Sequence, residues 1–165
     1  PIFARHIRKK IKSKNIICVA LDVGGTERAR ALGKLLNVGL AIVDKRRPKP
    51  GQSQVMNIIG NVKNQTCIIV DDIIDSGGTI INAAKALKNK GAKEVFVYIT
   101  HGVLSGDAVK KIKSSVIKKL VITDTIDNGE KVKSAKNIEV LPISSLMGEA
   151  IKRISNSTSV SDLFK

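Results

Sequence analysis

The fold is decided by residues 66–90, which read TCIIVDDIIDSGGTIINAAKALKNK. The run at 66–70 is apolar and β-branched and predicts a buried strand. The stretch at 78–90 repeats apolar residues at helical spacing and predicts a helix. Aspartates and a Ser-Gly-Gly-Thr sequence lie between them, so a strand passes through a polar turn into a helix. This is the repeating unit of α/β proteins.

The same alternation continues along the chain. Apolar runs predict strands, and the stretches between them predict helices, which together favour a parallel, doubly wound sheet. We expect one domain over residues 1–165. Pro48 and Pro50 predict that segment 46–60 is a long irregular loop of a functional kind. The predicted strands are 16–21, 39–43, 66–70, 94–99, 119–123 and 138–142, and the predicted helices lie near 2–11, 25–37, 78–90, 105–113 and 144–154.

The composition agrees with this fold class. Of the 165 residues, 42% are hydrophobic and 2% are aromatic, with no tryptophan. The core must therefore consist of Ile, Val, Leu and Ala, which suits a sheet covered by helices on both faces. Few aromatic residues argue against a nucleic-acid module that works by base stacking. Cys18 and Cys67 lie inside apolar runs and are expected to be buried.

The chain is strongly basic, with 29 Lys and Arg against 14 Asp and Glu and a formal net charge of +15. Such a charge attracts phosphorylated metabolites, nucleic acids or anionic membranes and does not decide among them. Many lysines fall on the predicted polar faces of helices, which favours a solvated surface. Because no signal sequence or long apolar span is found, we expect a cytoplasmic protein without a membrane partner. We also expect no nucleic-acid partner, although nucleic-acid binding remains the alternative that the charge alone suggests.

Aspartates follow several of the predicted strands. Asp22, Asp44, Asp71 and Asp124 each come directly after an apolar run. Because the carboxyl ends of parallel strands meet at one edge, these carboxylates are expected to gather where open α/β sheets bind ligands. A single aspartate could simply make a strand end soluble, but four of them favour a site.

The segment after the third predicted strand suits a sugar phosphate. Glycines allow backbone N–H groups to face a ligand, and hydroxyls beside a helix N-terminus complete a phosphate site. Paired carboxylates repel phosphate, so they must meet sugar hydroxyls or a divalent cation such as Mg²⁺. Asp71 and Asp72 are therefore assigned to the sugar or a cation. The phosphate is assigned to Asp75, Ser76, Gly77, Gly78 and Thr79.

An earlier turn repeats part of this pattern. Asp22 precedes Gly24 and Gly25, and a helix with Arg28 in its first turns follows. The turn could hold a second phosphate group or its metal ion. A tight strand-to-helix turn without a ligand remains an equal alternative.

Basic residues stand at the start of the proline-bearing loop. Lys45, Arg46 and Arg47 follow a predicted strand at the same edge. Mobile cations that close over a polyphosphate can neutralise the charge that develops in phosphoryl transfer. A solvated basic turn or a nucleic-acid contact is the alternative.

The two histidines offer little chemistry. His6 is expected on the exposed face of the first helix, and His101 is expected in a turn near the site edge. Neither has the spacing of metal ligands.

Several motifs, taken together, resemble a known family. They cover the whole chain in order and closely resemble the C-terminal half of the ribose-phosphate pyrophosphokinases, also called phosphoribosyl pyrophosphate synthetases. The resemblance implies a sheet of the type I phosphoribosyltransferase kind. It also implies a transferase that passes the diphosphate of ATP to the C1 hydroxyl of ribose 5-phosphate, with Mg²⁺, for nucleotide biosynthesis. The motifs are Asp22–Gly25, Asp44–Pro48, Val55–Gly60, Val70–Thr79, Thr100–Gly106 and Ser159–Phe164.

The resemblance also implies roles for individual residues. Lys45 and Arg47 would be catalytic, with Arg47 also helping to bind ribose 5-phosphate. Asp22 would be a metal ligand, and Gly24 and Gly25 would be cofactor-binding residues. The sugar phosphate would be held by Asp71, Asp72, Asp75, Ser76, Gly77, Gly78 and Thr79.

The same family implies features beyond this site. Its members are homo-oligomers, hexamers among them, and Ser159, Ser161 and Phe164 resemble residues of an allosteric site between subunits. An upstream domain supplies most ATP-binding residues, so this chain is expected to be inactive alone. Two alternatives remain open: a phosphoribosyltransferase that uses a nucleobase, and a non-catalytic regulatory relative.

Overall fold

The structure, a computed structural model, describes residues 1–46 and 55–164. Its strands form one sheet, in the spatial order β3-β2-β1-β4-β5-β6-β7. All neighbouring strands are parallel except β2 and β3, which are antiparallel. The strands are β1 Ile16–Ala20, β2 Gly39–Arg46, β3 Val55–Ile59, β4 Thr66–Ile74, β5 Glu94–Gly102, β6 Lys119–Thr123 and β7 Ile138–Leu141.

Helices connect the strands and cover both faces of the sheet. None of the helices in the described part of the chain is long and apolar enough to cross a membrane. The helices are α1 Ile2–Lys10, α2 Thr26–Leu36, α3 Gly78–Asn89, α4 Ala108–Lys113, α5 Gly129–Val132 and α6 Ser144–Ser155, followed by a 3₁₀ turn at Ser161–Phe164. The predicted parallel, doubly wound sheet is confirmed.

The core lies on both sides of β4 because successive strand residues point to opposite faces. Ile69 packs in a cluster with residues of α3 and α4, whereas Ile68 and Val70 pack with α1 and α2. Cys18 and Cys67 are fully buried, as predicted. Burial raises the pKa of each thiol to about 12, so both act as small apolar side chains.

The prediction of an irregular loop over 46–60 was wrong in its second half. Residues Val55–Ile59 form β3, which pairs with β2 from Ile42↔Ile59 to Arg46↔Val55. The prolines that suggested a loop precede this strand and do not interrupt it. The backbone hydrogen bonds of β3 come from its pairing with β2, and the residue pattern of a single segment does not reveal such pairing. Residues 47–54 lie outside the described part of the chain.

His6 is not on an exposed face, contrary to the prediction. Its Nδ1 lies 3.1 Å from the Tyr98 hydroxyl, its Nε2 lies 3.1 Å from Glu139 Oε1, and its side chain is 8% exposed. The prediction was based on the basic residues that neighbour His6 in the helical pattern of α1. Tyr98 on β5 and Glu139 on β7, both distant in sequence, give it partners under α1.

Candidate functional site

The candidate site lies where the strand order of the sheet reverses. Successive strands add on one side from β1 to β3 and on the other side from β4 to β7, so β1 and β4 are neighbours at the switch point. Open α/β sheets bind ligands in the crevice at the carboxyl ends of the strands on either side of such a point. The two glycine-containing turns singled out in the sequence follow these two strands.

Strand β4 is longer than the sequence predicted. It continues through Asp71 and Asp72 to Ile74, because β5 also continues and pairs Ile73 with His101 and Ile74 with Gly102. The expectation that the strand ends at Asp71 was therefore wrong. The consequence is that the carboxylate pair stands on an ordered strand and the turn proper begins at Asp75.

The turn after β4 leaves the start of α3 open. Gly77 has φ +78, a left-handed conformation that L side chains rarely adopt, and it is the N-cap residue of α3. No side chain caps the helix. The first backbone N–H groups of a helix have no partner within it, so those of α3 face outward and suit an anion.

A cavity of about 240 Å³ lies beside this turn. It brings together Asp71 and the whole predicted phosphate segment from Asp75 to Thr79. Leu21 from the end of β1 and Ile73, Ile74 and Ile80 supply its apolar walls. Asp72 is not among the lining residues and is 57% exposed in its side chain. The structure thus groups all but one of the predicted ribose 5-phosphate residues that it describes.

Arg28 contacts both members of the carboxylate pair, which the sequence analysis missed. Its Nη1 donates to Asp71 Oδ1 at 2.5 Å and its Nη2 donates to Asp72 Oδ2 at 2.8 Å. The Asp72 N–H also donates to Asp71 Oδ1 at 3.0 Å. The signal available in the sequence was the place of Arg28 in the first turn of α2, directly after the turn that follows β1.

The pKa values of the two carboxyl groups are shifted in opposite directions. Desolvation raises the pKa of Asp71, and the charge of Asp72 adds to that rise, although a backbone hydrogen bond and Arg28 oppose it. Desolvation acts in the same direction on Asp72, but there the Arg28 charge and hydrogen bonds hold the pKa below its ordinary value. Of the two carboxyl groups, that of the more exposed Asp72 is therefore the more easily ionised.

The turn after β1 is closed by its own aspartate. Asp22 Oδ1 accepts a hydrogen bond from the Gly25 N–H at 2.7 Å, and the Thr26 hydroxyl donates to the Asp22 carbonyl at 3.3 Å. Gly25 is buried and Gly24 is exposed. The N–H of Gly25 is thus already used within the turn.

The chain offers a partial set of magnesium ligands. Asp22 is exposed and uses one carboxylate oxygen in the turn, which leaves the other for a cation. No cluster of three or more His, Cys, Asp or Glu residues that could hold a metal occurs in residues 1–46 and 55–164. Mg²⁺ usually keeps several waters and binds through one or two carboxylates and substrate phosphates. A single carboxylate fits that kind of site.

The basic residues of the predicted catalytic loop are only partly described. The backbone of Lys45 pairs with Met56 in the β2–β3 ladder. Arg47, together with the side chain of Lys45, lies outside the described residues. The structure therefore places the start of this segment on β2, which is next to β1 at the site edge.

The other strand-end aspartates do not join the cavity. Asp44 lies within β2, opposite Asn57 of β3. Asp124 follows β6, and its Oδ1 accepts a hydrogen bond from the Ile143 N–H at 2.9 Å. Asp124 thus anchors the connection into α6, which is a structural role. The expectation that His101 lies in a turn was wrong, because it belongs to β5, where it pairs with Ile73; its Nδ1 lies 3.0 Å from the Thr125 hydroxyl, and it does not line the cavity.

No residue of the C-terminal segment that the structure describes lines the cavity. The segment follows α6, which comes after the edge strand β7, three strands away from β4. Arg153 Nη1 donates to the Ser159 carbonyl at 2.9 Å, and the Ser161 N–H donates to Ser159 Oγ at 3.1 Å. Phe164 is 71% exposed. The serines and the phenylalanine thus lie together on an ordered turn at another part of the surface.

Comparison with known proteins agrees with this geometry. The family model described as "Phosphoribosyl synthetase-associated domain" matches residues 44–165. The chain belongs to this family. The family matches the resemblance seen in the sequence motifs, and its matched range includes β4, the carboxylate pair and the open turn.

Individual relatives extend this result. A ribose-phosphate pyrophosphokinase from Rhizobium meliloti (strain 1021) is 55% identical over 164 residues, covering 99% of this chain and 53% of the relative. This chain therefore spans about half the length of the curated relatives that it matches. The crystal structure of phosphoribosylpyrophosphate synthetase from Mycobacterium smegmatis has a TM-score of 0.85 and 30% identity, covering 94% of this chain and 50% of the other.

A more distant structure shares the fold. The purine phosphoribosyltransferase from Pyrococcus horikoshii Ot3 has a TM-score of 0.51 and 21% identity, covering 86% of this chain and 78% of the other. The predicted sheet of the type I phosphoribosyltransferase kind is confirmed.

Proposed function

We propose that this chain is the ribose 5-phosphate-binding half of a ribose-phosphate diphosphokinase, the C-terminal half by its motifs. The whole enzyme would transfer the diphosphate of ATP to the C1 hydroxyl of ribose 5-phosphate and form phosphoribosyl pyrophosphate. Residues 1–165 would act as one domain of that enzyme. Support comes from the family match and from relatives that carry the name ribose-phosphate pyrophosphokinase.

One observation carries the proposal: a single cavity is lined by Asp71 and by the segment Asp75–Thr79. The segment offers the open N-terminus of α3 and two hydroxyls, which suit the 5-phosphate. Asp71 and the neighbouring Asp72 offer carboxylate oxygens, which accept hydrogen bonds from sugar hydroxyls. A phosphate site and a hydroxyl site a few residues apart match the two ends of ribose 5-phosphate.

The chemistry of diphosphate transfer consists mainly of positioning and charge compensation. We assign charge compensation to Lys45, which lies near the end of β2, and to Arg47, which comes two residues later in the sequence. Holding the sugar phosphate rigidly orients its C1 hydroxyl, and cations close to the diphosphate stabilise the charge that develops on it. Arg47 would also help to hold the sugar phosphate.

Mg²⁺ and ATP are the partners that this reaction requires. Asp22 would hold the Mg²⁺ ion through the carboxylate oxygen that its own turn does not use. The ion would neutralise charge on the diphosphate of ATP. Gly24 is exposed and would allow the diphosphate to approach the backbone closely. The N–H of Gly25 is already bonded to Asp22, so Gly25 would serve only to keep the turn free of a side chain.

We also propose a homo-oligomeric, cytoplasmic enzyme without a nucleic-acid partner, with a hexamer as the family suggests. Met147, Ile151 and Ile154 recur on one face of α6 and are 50%, 63% and 69% exposed. Exposed apolar patches of this kind mark protein contacts. Ser159, Ser161 and Phe164 stand close by in sequence and would form a regulatory site at such a contact.

The observations favour the diphosphokinase over a nucleobase phosphoribosyltransferase. Identity is 55% to the Rhizobium pyrophosphokinase but 21% to the purine phosphoribosyltransferase. The retained Asp22, Asp71, Asp72 and Asp75 also favour a binding-competent chain over a purely regulatory relative.

Titration calorimetry of the 165-residue chain with ribose 5-phosphate and Mg²⁺ tests the proposal. We expect saturable binding that Asp71→Ala and Asp75→Ala each weaken by about tenfold or more. Asp71→Ala removes a charged acceptor for a sugar hydroxyl, and Asp75→Ala removes a carboxylate that lines the same cavity. Asp107→Ala is the matched control, since Asp107 is exposed and its side chain makes no capping hydrogen bond although it is the N-cap residue of α4. The absence of binding, or equal binding by all four proteins, would overturn the proposal.

A further inference from the structure

Arg28 joins two carboxylates that neighbour each other on a strand. Consecutive strand residues normally direct their side chains to opposite faces of the sheet. Here both carboxylates reach the same guanidinium, at 2.5 Å for Asp71 Oδ1 and 2.8 Å for Asp72 Oδ2. Asp71 Oδ1 also accepts the Asp72 N–H at 3.0 Å. The pair is thus held in a shared orientation that β4 alone does not impose.

The guanidinium comes from a rigid element. Arg28 lies in the first turn of α2, and the next residue, Ala29, is fully buried. Leu32, one turn later, packs in the same cluster as Cys18 of β1 and Ile68 of β4. A side chain that starts from a packed helix holds its partners more firmly than one from a loop.

Each carboxylate keeps one oxygen outside this contact. Arg28 uses Oδ1 of Asp71 and Oδ2 of Asp72, so Asp71 Oδ2 and Asp72 Oδ1 take no part in it. Two acceptor oxygens on neighbouring carboxylates match two hydroxyls on neighbouring carbons. The arginine fork fixes the spacing of this acceptor pair through two hydrogen bonds, which a point charge cannot do.

We propose that Arg28 is a positioning residue that sets the preference of the site for a sugar phosphate with two adjacent hydroxyls. It holds Asp71 and Asp72 side by side, so that their remaining oxygens meet the 2- and 3-hydroxyls of ribose 5-phosphate. This role rests on the proposed function. It concerns the sugar end of the ligand and leaves the phosphate end at Asp75–Thr79 unchanged.

The test compares ribose 5-phosphate with 2-deoxyribose 5-phosphate by calorimetry on the 165-residue chain. We expect Arg28→Gln to weaken binding of ribose 5-phosphate by about tenfold and of the deoxy sugar by no more than about threefold, because the latter lacks one of the two hydroxyls. Arg28→Lys should lose nearly as much as Arg28→Gln, since lysine keeps the charge but not the fork. Arg30→Gln, an exposed position on the same helix, should change neither affinity.

Other outcomes overturn the inference. Equal losses of affinity for both sugars in Arg28→Gln, or no loss for either, would leave the preference between the two sugars unchanged and would show that the arginine fork does not set it. Full rescue by Arg28→Lys would reduce the role to charge alone. If the unaltered chain binds neither sugar, the proposed function fails first and the inference falls with it. Urea unfolding of each variant establishes that it is folded, and Arg28→Lys carries the comparison if Arg28→Gln is not.

Discussion

The turns after β1 and β4 have nearly the same sequence and different structures. The first reads Asp22-Val23-Gly24-Gly25-Thr26 and the second reads Asp75-Ser76-Gly77-Gly78-Thr79. Both leave the sheet at the same edge and both lead into a helix. Helix α2 begins at Thr26, whereas α3 begins one position earlier in the shared pattern, at Gly78.

The two turns treat their backbone N–H groups differently. In the first, Asp22 accepts the Gly25 N–H at 2.7 Å, so the turn satisfies itself. In the second, Gly77 takes φ +78, and no such hydrogen bond from Asp75 to its turn is found in the described part of the chain, although neither helix has a side-chain cap. The conformation of the middle glycine therefore separates a closed turn from one that is open to an anion. This is why we assign the sugar phosphate to the second turn and only a metal ion and a close approach to the first.

The largest difference between the turns is expected on substitution of the middle glycine. Gly77→Ala should lower the free energy of unfolding by about 1–2 kcal/mol, since a left-handed conformation is unfavourable for a residue with a β-carbon. It should also weaken ribose 5-phosphate binding, because relief of that strain displaces the start of α3. Urea unfolding and calorimetry measure the two effects.

Gly24→Ala is the matched variant in the closed turn. Gly24 is absent from the positive-φ glycines in the described part of the chain, and a β-carbon there would lie 3.4 Å from Asp22 Oδ1, an ordinary contact. Its effect on unfolding should stay within about 0.5 kcal/mol. Equal effects at Gly77 and Gly24 would show that the two turns do not differ in backbone demand.

For the aspartates of the two turns, we expect the larger loss of stability in the first turn, the reverse of the order expected for the glycines. Asp22→Ala removes the side-chain acceptor of the Gly25 N–H and should lower the free energy of unfolding by about 1 kcal/mol, as the loss of one intramolecular hydrogen bond does. Among the described residues Asp75 makes no hydrogen bond of this kind to its own turn, so Asp75→Ala should change stability by less than about 0.5 kcal/mol. Urea unfolding of both variants decides this. A larger loss for Asp75→Ala than for Asp22→Ala would contradict the assignment of closed and open turns.

Periodicity and turn residues were sufficient to predict the sheet class and the phosphate segment. The run 66–70 and the helix after Gly78 are local patterns, and the cavity indeed joins Asp71 to Asp75–Thr79. Local patterns also gave the burial of Cys18 and Cys67. These features depend on residues that lie close together in sequence.

The features that the sequence did not reveal all depend on distant partners. Arg28 meets Asp71 across 43 positions, and His6 meets Tyr98 across 92. β3 is a strand because β2 pairs with it, and β4 passes Asp71 because β5 continues beside it. The similarity of the Asp22 and Asp75 turns also hid the left-handed conformation of Gly77, where a β-carbon would meet the side chains of Ile112 and Ile81.

The smallest expected effect concerns the carboxylate pair that precedes the open turn. The folded pKa of Asp72 lies below its ordinary value, against desolvation and because of Arg28 and hydrogen bonds. Its ionised form therefore stabilises the fold above the unfolded pKa of about 3.9, and this contribution is lost as the pH falls through the folded pKa. Asp72→Asn should lower stability by a few tenths of a kcal/mol at pH 7, an amount limited by the 57% exposure of the side chain.

Asp71 should show the opposite sign in the same measurement. Its folded pKa is raised, chiefly by desolvation, so its ionisation opposes folding as the pH rises through the unfolded pKa. Relative to the unaltered chain, Asp71→Asn should thus become more stable between acidic pH and pH 7, whereas Asp72→Asn becomes less stable. Urea unfolding of both variants across this range measures the two slopes. If the stability differences of both variants changed with pH in the same direction, Arg28 would not make ionisation of Asp72 favourable for folding and leave ionisation of Asp71 unfavourable.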